Sequence, residues 1–330
     1  MTQGFLLEPQ TAVRVDVAAP DLIHVTGEDR VAFLHRMLTN SVNTIPVGAG
    51  RSAMLLTAKG QVVSLMQVLV SADHVDLVVP AGTGNAVSEA LSRFAVMDDV
   101  LFEVQATEVV ALAGPAAAET LAAVGFPEAT GAASGEATSH FKQGGALCIK
   151  SRAFGTTTLS VLGPSDLKAG LTARLASASV KTLSAAETDA ARIAAGEPRH
   201  GFEYCCEIAG ERFPMEVGLD GAIDYGKGCY PGQEPIVRIR DRGKVNWRLV
   251  RLRLAPGAPQ PVPGTVLSTA ERESAGRVTS SGMWQPRGAI SPYPIALALL
   301  HASVLDGSAV DLATDGGIVT AQVLLPGDPA

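Results

Sequence analysis

The order of predicted secondary-structure elements changes near residue 245, and this change constrains the fold more than any other feature of the chain. Before Lys244, apolar runs with strand patterning alternate with segments of helical periodicity. From Asn246 onward the chain contains only short Val- and Leu-rich runs separated by Pro and Gly turns, which is typical of an all-β domain. The sequence therefore predicts an α+β region over residues 1–245 and an all-β region over residues 246–330.

Two local signals place the first elements of the α+β region. Thr26 is predicted to cap a helix that ends near Asn40, because apolar residues recur between them with helical spacing. The tripeptide Ala58-Lys59-Gly60 separates the apolar strands 52–57 and 61–71. A three-residue connection that ends in Gly predicts a hairpin.

A second succession of two strands and a helix is predicted over residues 146–177. It repeats an earlier order of elements, although not the residues themselves, and so predicts two α+β subdomains that meet near residues 105–110. The capping-box residues Ser184 and Glu187 then begin another helix. This helix is expected to end at Gly196, because Gly readily adopts the left-handed conformation of a helix end.

A proline-rich segment over residues 256–263 has two interpretations. It is either a linker between domains or a long loop inside a barrel, because residues 249–254 before it already alternate like a strand. The sequence leaves both interpretations open, and it places the domain boundary near Lys244.

Composition excludes several classes of protein. Hydrophobic residues make up 47% of the 330 residues and charged residues only 18%, which is typical of a folded chain. A net charge of −7 and an aromatic content of 5% argue against a nucleic-acid binder. No membrane helix is predicted, since the longest uncharged stretch, 288–305, contains Pro292 and Pro294. Residues 1–10 lack a signal-peptide pattern and the four cysteines form no CxxC pair, so a reduced, cytoplasmic chain is predicted.

Basic residues are concentrated between Tyr225 and Arg253. This segment holds eight Lys and Arg residues against two acidic residues, so it carries +6 while the rest of the chain carries −13. A local cluster of cations favours an anionic ligand. The alternative is a solvated strand edge, because Arg238, Arg240 and Arg242, and likewise Arg251 and Arg253, alternate like charges that protect an edge from aggregation.

One loop inside this basic segment is suited to chemistry. The sequence Lys227-Gly228-Cys229-Tyr230-Pro231-Gly232-Gln233-Glu234 predicts irregular backbone, because two glycines and a proline occur in eight residues. Basic neighbours make Cys229 a candidate reactive thiol, and the alternative is a small buried side chain. The six histidines show no HxxxH or HExxH pattern and the chain has no phosphate-loop motif, so no metal or nucleotide site is predicted.

Several motifs of the chain occur together in one known family. They are R-I-A-A-G at 192–196, P-R-H-G-F at 198–202, F-P-M-E-V-G-L-D at 213–220 and K-G-C-Y-P-G-Q-E at 227–234, with shorter matches at 33–40, 55–60 and 276–280. This set resembles the YgfZ-type folate-binding family, whose members are relatives of the T-protein (aminomethyltransferase) of the glycine cleavage system. The resemblance covers nearly the whole chain and is densest over residues 192–248.

The resemblance implies a fold, a cofactor and a role. The fold is an α+β, three-domain, T-protein-like (GcvT/YgfZ) architecture around a central hole, with a C-terminal β-barrel domain over residues 246–330. The implied role is to bind tetrahydrofolate and to support the assembly or maintenance of iron–sulfur enzymes, with iron–sulfur proteins or assembly factors as partners. Cys229 is implied to be the functional thiol, with Lys227 beside it. The implied folate-binding residues are Asn40, Arg192, Gly228, Tyr230, Gln233, Glu234, Arg238 and Arg240.

The chain departs from the T-protein pattern at two places. T-proteins carry an acidic residue after the hairpin glycine, where this chain has Ser64 and Leu65, so aminomethyl transfer is not expected. Ala194 replaces a Glu that holds the pterin ring, and the lost hydrogen bond is expected to weaken folate binding by about 1.5–3 kcal/mol. Two alternatives to the iron–sulfur role are therefore a folate-dependent one-carbon transferase or demethylase, and a non-catalytic scaffold that binds a protein partner.

Overall fold

The computed structural model describes residues 11–131, 138–286, 289–314 and 317–324. These residues form one ten-stranded sheet with helices packed against it, followed by a closed six-stranded barrel. The expectation about a signal peptide falls on residues 1–10, which lie outside the described residues. Within the described ranges, no helix combines the length and the apolar character that a membrane crossing requires.

The ten strands of the sheet come from two successive parts of the chain. The first part contributes β1 (Val13–Val15), β2 (Asp21–Thr26), α1 (Arg30–Met37), β3 (Ala49–Leu56), β4 (Val62–Val70), β5 (Val75–Val79), α2 (Gly84–Ser92) and β6 (Leu101–Ala106). The second part contributes β7 (Glu108–Ala113), α3 (Ala117–Ala123), β8 (Thr138–Gln143), β9 (Ala146–Ala153), β10 (Thr156–Gly163) and α4 (Ser165–Ser177). The strand order is β1-β7-β10-β9-β8-β3-β4-β5-β2-β6.

Each half of the sheet has its own apolar core. One cluster packs α1 and α2 against β2, β3, β4 and β5, and a second packs α3 and α4 against β7, β9 and β10. A smaller apolar cluster, which includes Leu22, Leu69 and Leu147, joins strands of the two halves. Two α+β units therefore share one continuous sheet.

The C-terminal strands close into a barrel, as the family resemblance implies. They are β11 (Trp247–Leu254), β12 (Val266–Thr269), β13 (Arg272–Trp284), β14 (Tyr293–His301), β15 (Ala309–Thr314) and β16 (Gly317–Val323), and β16 pairs back to β11. The prediction of an α+β chain with a C-terminal β-barrel is confirmed. Residues 256–263 connect two strands of this barrel, so the loop interpretation is right and the linker interpretation is wrong.

Helix α5 (Ala185–Ala195) joins the sheet to the barrel, and its predicted ends are confirmed. The Ser184 hydroxyl accepts a hydrogen bond from the Glu187 amide at 3.2 Å, and the Glu187 carboxylate accepts one from the Ser184 amide at 2.8 Å. Gly196 ends the helix with a left-handed φ of 75°. The apolar face of α5 packs with residues of β1 and of the barrel strands β13 and β14 in one cluster.

The first helix begins later than the sequence predicts. Helix α1 starts at Arg30, whereas Thr26 is the last residue of β2, so the predicted Thr26 cap is wrong. The chain needs the intervening residues to turn away from the sheet, and Gly27 does so with a φ of 103°. A Cβ atom at Gly27 would lie 2.0 Å from the Asp99 carbonyl oxygen, so only glycine fits this turn.

The interpretation of Arg238, Arg240 and Arg242 as a strand edge is also wrong, because residues Gln233–Arg242 form a helix, α6. Its Pro235 lies in the first turn, where a missing amide proton costs no helical hydrogen bond. In a helix, residues two positions apart point to nearly opposite sides. Arg238 and Arg240 therefore do not form one row of charges.

Candidate functional site

The signature loop, defined here as residues 227–232, is anchored at its start by Lys227. The ammonium of Lys227 donates hydrogen bonds to the carbonyl oxygens of His35 and Leu38 and lies 3.4 Å from that of Asn40. These carbonyls are at the C-terminal end of α1, where the helix dipole concentrates negative charge. Burial lowers the pKa of Lys227 to about 8. Lys227 and the predicted Asn40 are thus brought together.

Residues just before the loop are tied to the same end of α1. The Ser41 hydroxyl donates a hydrogen bond to the Asp224 carboxylate at 2.5 Å, and the Asp224 amide donates one to the Thr39 carbonyl oxygen at 3.0 Å. The Ser41 hydrogen bond holds the pKa of Asp224 below its usual range. The sequence analysis missed Ser41 and Asp224, because the two residues are 183 positions apart and belong to no local motif.

The end of the loop rests on the hairpin between β3 and β4. Gly232 precedes α6 with a left-handed φ of 79°, and its carbonyl oxygen approaches Gly60 in the hairpin turn. Tyr230 is buried, and its ring centroid lies 5.1 Å from the Lys227 ammonium. Burial raises the pKa of Tyr230 to about 12. The signature loop is therefore fixed at its start by the hydrogen bonds of Lys227 and at its end by the packing of Gly232.

Cys229 is exposed at the centre of this anchored loop and is a free thiol. The interpretation of Cys229 as a small buried side chain is therefore wrong. The buried Cys148 and the half-buried Cys205 differ from it, because burial raises their pKa values to about 12 and about 11. The Cys205 thiol also donates to the Val62 carbonyl oxygen at 3.1 Å. Exposure distinguishes Cys229 among the cysteines of the chain.

A cavity of about 420 Å³ lies beside the loop and the first turn of α6. It is lined by several of the predicted residues, namely Tyr230, Gln233, Glu234 and Arg238, together with Ala58, Gly232 and Pro235. Arg238 and Glu234 form an exposed ion pair of 2.8 Å at this cavity. Arg240 instead pairs with Asp241 and lies over the ring of Tyr225, 4.9 Å from its centroid.

Arg192 belongs to a different network, which joins α5 to the barrel. Its guanidinium donates hydrogen bonds to the Glu203 carboxylate at 2.9 Å, to Asp189 at 2.8 Å and to the Ser280 hydroxyl at 2.9 Å. Glu203 is fully buried, and it also accepts hydrogen bonds from the hydroxyls of Thr279 and Ser280. The structure therefore does not bring Arg192 to the signature loop.

A larger cavity of about 660 Å³ lies along α5. Its lining combines two carboxylates, three basic side chains and two aromatic rings, namely Asp16, Asp189, Arg192, Arg199, His200, Phe154 and Phe202. Asp16 is exposed, whereas the Asp189 carboxylate already binds Arg192 and Arg199. The sequence analysis did not select this cavity, because its residues come from separate segments without a shared motif.

The two departures from the T-protein pattern are buried in apolar surroundings. Ala194 packs in the apolar cluster between α5 and the barrel. Ser64 is fully buried on β4, where its hydroxyl donates to the Leu65 carbonyl oxygen at 3.3 Å. Leu65 packs against the apolar cluster that contains Tyr230. None of the three positions supplies a group that exchanges protons.

The structure also assembles a group that the histidine spacing did not predict. His24, His74 and Asp76 place one candidate metal-ligand atom each within 4.8 Å of one another. His24 on β2 lies directly opposite Asp76 on β5. Only the pairing of these strands creates the group, so a search for local HxxxH spacing misses it.

Comparison with known proteins relates the chain to a family. Residues 9–152 match the family model described as "GCVT N-terminal domain". The whole fold matches the crystal structure of glycine cleavage system aminomethyltransferase T from Bartonella henselae, with a TM-score of 0.82 over 97% of this chain and 87% of that chain. The N-terminal part of this chain therefore matches the GCVT N-terminal domain family, and the described residues share the fold of the aminomethyltransferase. The likeness to the Bartonella protein is 23% in sequence identity and concerns the fold.

Two further proteins resemble this chain in sequence. The transferase candidate At1g60990 of Arabidopsis thaliana, a chloroplastic protein, is 25% identical over 275 residues, which cover 81% of this chain. A mitochondrial iron–sulfur cluster assembly factor IBA57 homolog of Phaeosphaeria nodorum is 30% identical over 121 residues, which cover 32% of this chain. The matches span 61% of the length of the plant protein and 29% of the fungal protein.

Proposed function

We propose that this chain binds tetrahydrofolate and supports the assembly or maintenance of iron–sulfur clusters in other proteins. Its partners are then iron–sulfur enzymes or their assembly factors, and Cys229 is its functional thiol. The fungal relative, which is named an iron–sulfur cluster assembly factor, and the GcvT-like fold support this role. The observation that carries the proposal is the exposed Cys229 on a loop anchored at both ends.

The position of Cys229 suits contact with a second protein. Thiolates are the ordinary ligands of iron–sulfur clusters, and a ligand on another chain must be reachable from solvent. Lys227 and Gly232 fix the backbone on either side of Cys229, so the thiol is presented with little loss of chain entropy on contact.

Tetrahydrofolate suits the cavity along α5 better than the smaller cavity at the signature loop. A pterin ring presents paired N–H donors, and the cofactor ends in anionic glutamate carboxylates. The cavity along α5 offers Asp16 as an acceptor, Phe154 and Phe202 as apolar contacts, and Arg199 as a cation. We assign the pterin to Asp16, which would replace the Glu that Ala194 removes.

A complementation experiment tests the thiol. In a deletion strain, Cys229→Ser is expected to lower the activity of iron–sulfur enzymes to the level of the empty vector. Cys206→Ser is the matched control, because Cys206 is a partly exposed thiol outside the signature loop, and its activity is expected to equal wild type. Equal iron–sulfur enzyme activity with Cys229→Ser and wild type would contradict the proposed role of the thiol.

Anaerobic calorimetry tests the cofactor. Saturable binding of tetrahydrofolate is expected in the micromolar range, which corresponds to roughly −8 kcal/mol. Asp16→Asn is expected to weaken it about 10- to 150-fold, since a charge-assisted hydrogen bond contributes about 1.5–3 kcal/mol. The exposed Asp166 on α4 provides the control substitution, Asp166→Asn. Absence of binding would reject the folate part of the proposal, and turnover of a methylated amine would favour one-carbon transfer instead.

A further inference from the structure

We propose that His24, His74 and Asp76 form a binding site for a divalent zinc-like metal ion at the seam between the two halves of the sheet. The site is separate from the signature loop and from the cavity along α5. It draws on β2, on the turn before β5 and on β5 itself. Two imidazoles and one carboxylate are a ligand set that Zn²⁺ accepts, with water in the fourth position.

The orientation of His74 is the first argument. Its Nδ1 atom lies 2.6 Å from the carboxylate of Asp73, which can only accept a hydrogen bond, so Nδ1 carries the proton. This leaves the Nε2 lone pair pointing inward, 3.3 Å from the Oδ2 atom of Asp76. A carboxylate that orients the far side of a histidine ring is the usual support of a metal-bound histidine.

The unsatisfied oxygen of Asp76 is the second argument. The Asp76 side chain is 1% exposed, and its Oδ1 atom accepts a hydrogen bond from His24 Nδ1 at 2.7 Å. Its Oδ2 atom is buried and has no hydrogen-bond donor among the described residues. A buried carboxylate oxygen that faces a nitrogen lone pair is unfavourable unless a cation lies between them. The lone pairs of His74 and Asp76 thus converge on a cation position.

The ammonium of Lys142 on β8 lies close to this cation position. Its ammonium lies 3.1 Å from His74 Nε2 and 3.7 Å from Asp76 Oδ2. The Lys142 side chain is 54% exposed, so it can turn toward solvent when a metal ion arrives. The separation of 3.3 Å between His74 Nε2 and Asp76 Oδ2 already matches the roughly 3.3 Å expected between two ligands at zinc bond lengths. His24 must move its ring proton from Nδ1 to Nε2 and turn its Nδ1 atom from Asp76 Oδ1 toward the ion.

The surroundings indicate a structural role for the ion. The site lies beside the apolar cluster that joins the two halves of the sheet, since Leu69 pairs directly with Asp76. Lys142 and His140 come from the second half, and His140 reaches Ser71 of the first half at 3.3 Å. A bound ion would hold β2 and β5 of the first half together beside its contacts with the second half, and it is expected to raise the melting temperature.

Cobalt and zinc binding test the proposal on the full chain. Metal-stripped protein is titrated with Co²⁺, in a Cys229→Ser background so that the exposed thiol does not compete. One equivalent is expected to give visible d–d bands without a near-ultraviolet thiolate band, and Zn²⁺ is expected to displace it and to raise the melting temperature. Asp76→Asn and His74→Gln are expected to abolish the bands.

Two further variants separate a metal site from a permanent ion-pair network. Lys142→Met removes the competing ammonium, so it is expected to keep or tighten Co²⁺ binding. Asp73→Asn is expected to weaken it about 10–100-fold, as loss of an orienting partner does. The control is His301→Gln, on the barrel strand β14. Absence of bands in both the parent protein and Lys142→Met, or bands that persist in folded Asp76→Asn protein, overturns the proposal.

Discussion

Gly60 and Gly232 cross each other so closely that neither position has room for a side chain. A Cβ atom on Gly60 would lie 3.0 Å from the Gly232 carbonyl oxygen. A Cβ atom on Gly232 would lie 2.3 Å from the Thr57 carbonyl oxygen and 3.1 Å from the Gly60 Cα atom. Both residues have a left-handed φ, of 80° and 79°. The hairpin turn and the signature loop are therefore one packed unit.

Gly232→Ala is expected to destabilise this unit strongly. The left-handed backbone alone costs a non-glycine residue about 1–2 kcal/mol, and the overlap with Thr57 adds to it. Gly228→Ala is the matched control, because Gly228 is in the same loop with open space around its Cα and no left-handed φ. Urea unfolding of both variants measures the difference. A free energy of unfolding for Gly232→Ala equal to that of Gly228→Ala would contradict the packing described.

Lys227 gives a prediction about pH. The half-buried Lys227 ammonium loses its proton near pH 8, whereas an unfolded lysine keeps it to about 10.5. Between these values the unfolded state binds more protons, so the free energy of unfolding rises with pH. Wild type is expected to gain stability relative to Lys227→Met from pH 8 to pH 10.5. The exposed Lys59 provides a control variant, Lys59→Met, whose pH dependence is expected to match wild type.

Denaturant titrations at several pH values between 7 and about 10.5 measure this difference. The comparison with Lys227→Met removes the contribution of every other titrating group that the two proteins share. A stability difference between wild type and Lys227→Met that stays constant over this range would show that Lys227 keeps its proton in the folded state.

The helix α6 shows where local sequence patterns fail. The alternating Arg238, Arg240 and Arg242 resemble a strand, and Pro235 discourages a helix. Tertiary packing stabilises the helix despite these local patterns, because Ile236 is fully buried in the cluster that contains Tyr230. The capping box at Ser184 was predictable, since its two hydrogen bonds join residues only three positions apart.

The site was predictable only in part, for the same reason. The signature motif predicts an irregular loop over residues 227–234, and the structure shows that loop around Cys229 as far as Gly232, whereas Gln233 and Glu234 begin α6. The partners of Lys227 lie on α1, almost two hundred residues away, and no spacing in the sequence reveals them. The histidine and aspartate at the seam are brought together by the register of β2 and β5, which local patterns do not determine.

The Arg192–Glu203 ion pair is predicted to be structural. Glu203 is fully buried, so Arg192→Met leaves a carboxylate without its counter-charge and is expected to cost about 3–5 kcal/mol of stability. The exposed Arg238–Glu234 pair is the control, and Arg238→Met is expected to cost no more than about 0.5 kcal/mol. Urea unfolding measures the free energy of unfolding of both variants relative to wild type. If Arg192→Met weakens tetrahydrofolate binding but leaves stability unchanged, Arg192 is a ligand contact rather than a structural one.

Differences in thiol environment predict an order of chemical modification. Iodoacetamide reacts with thiolates that it can reach. Exposed Cys229 is therefore expected to be modified first at neutral pH, before the half-buried Cys205 and well before the buried Cys148. Burial raises the pKa of Cys205 to about 11 and that of Cys148 to about 12. The smaller thiolate fraction slows the modification of both residues further. Peptide mass spectrometry over a time course measures the three rates separately.

The unfolded protein supplies the reference for this order. In denaturant the three thiols share one environment, so their modification rates are expected to become similar. Cys229→Ser is expected to remove the fast phase of modification in the folded protein and to leave the slow phases unchanged. An exposed serine changes the free energy of unfolding by no more than about 0.5 kcal/mol. Modification of Cys148 as fast as Cys229 in folded protein would mean that the second half of the sheet opens readily, since Cys148 lies within its core.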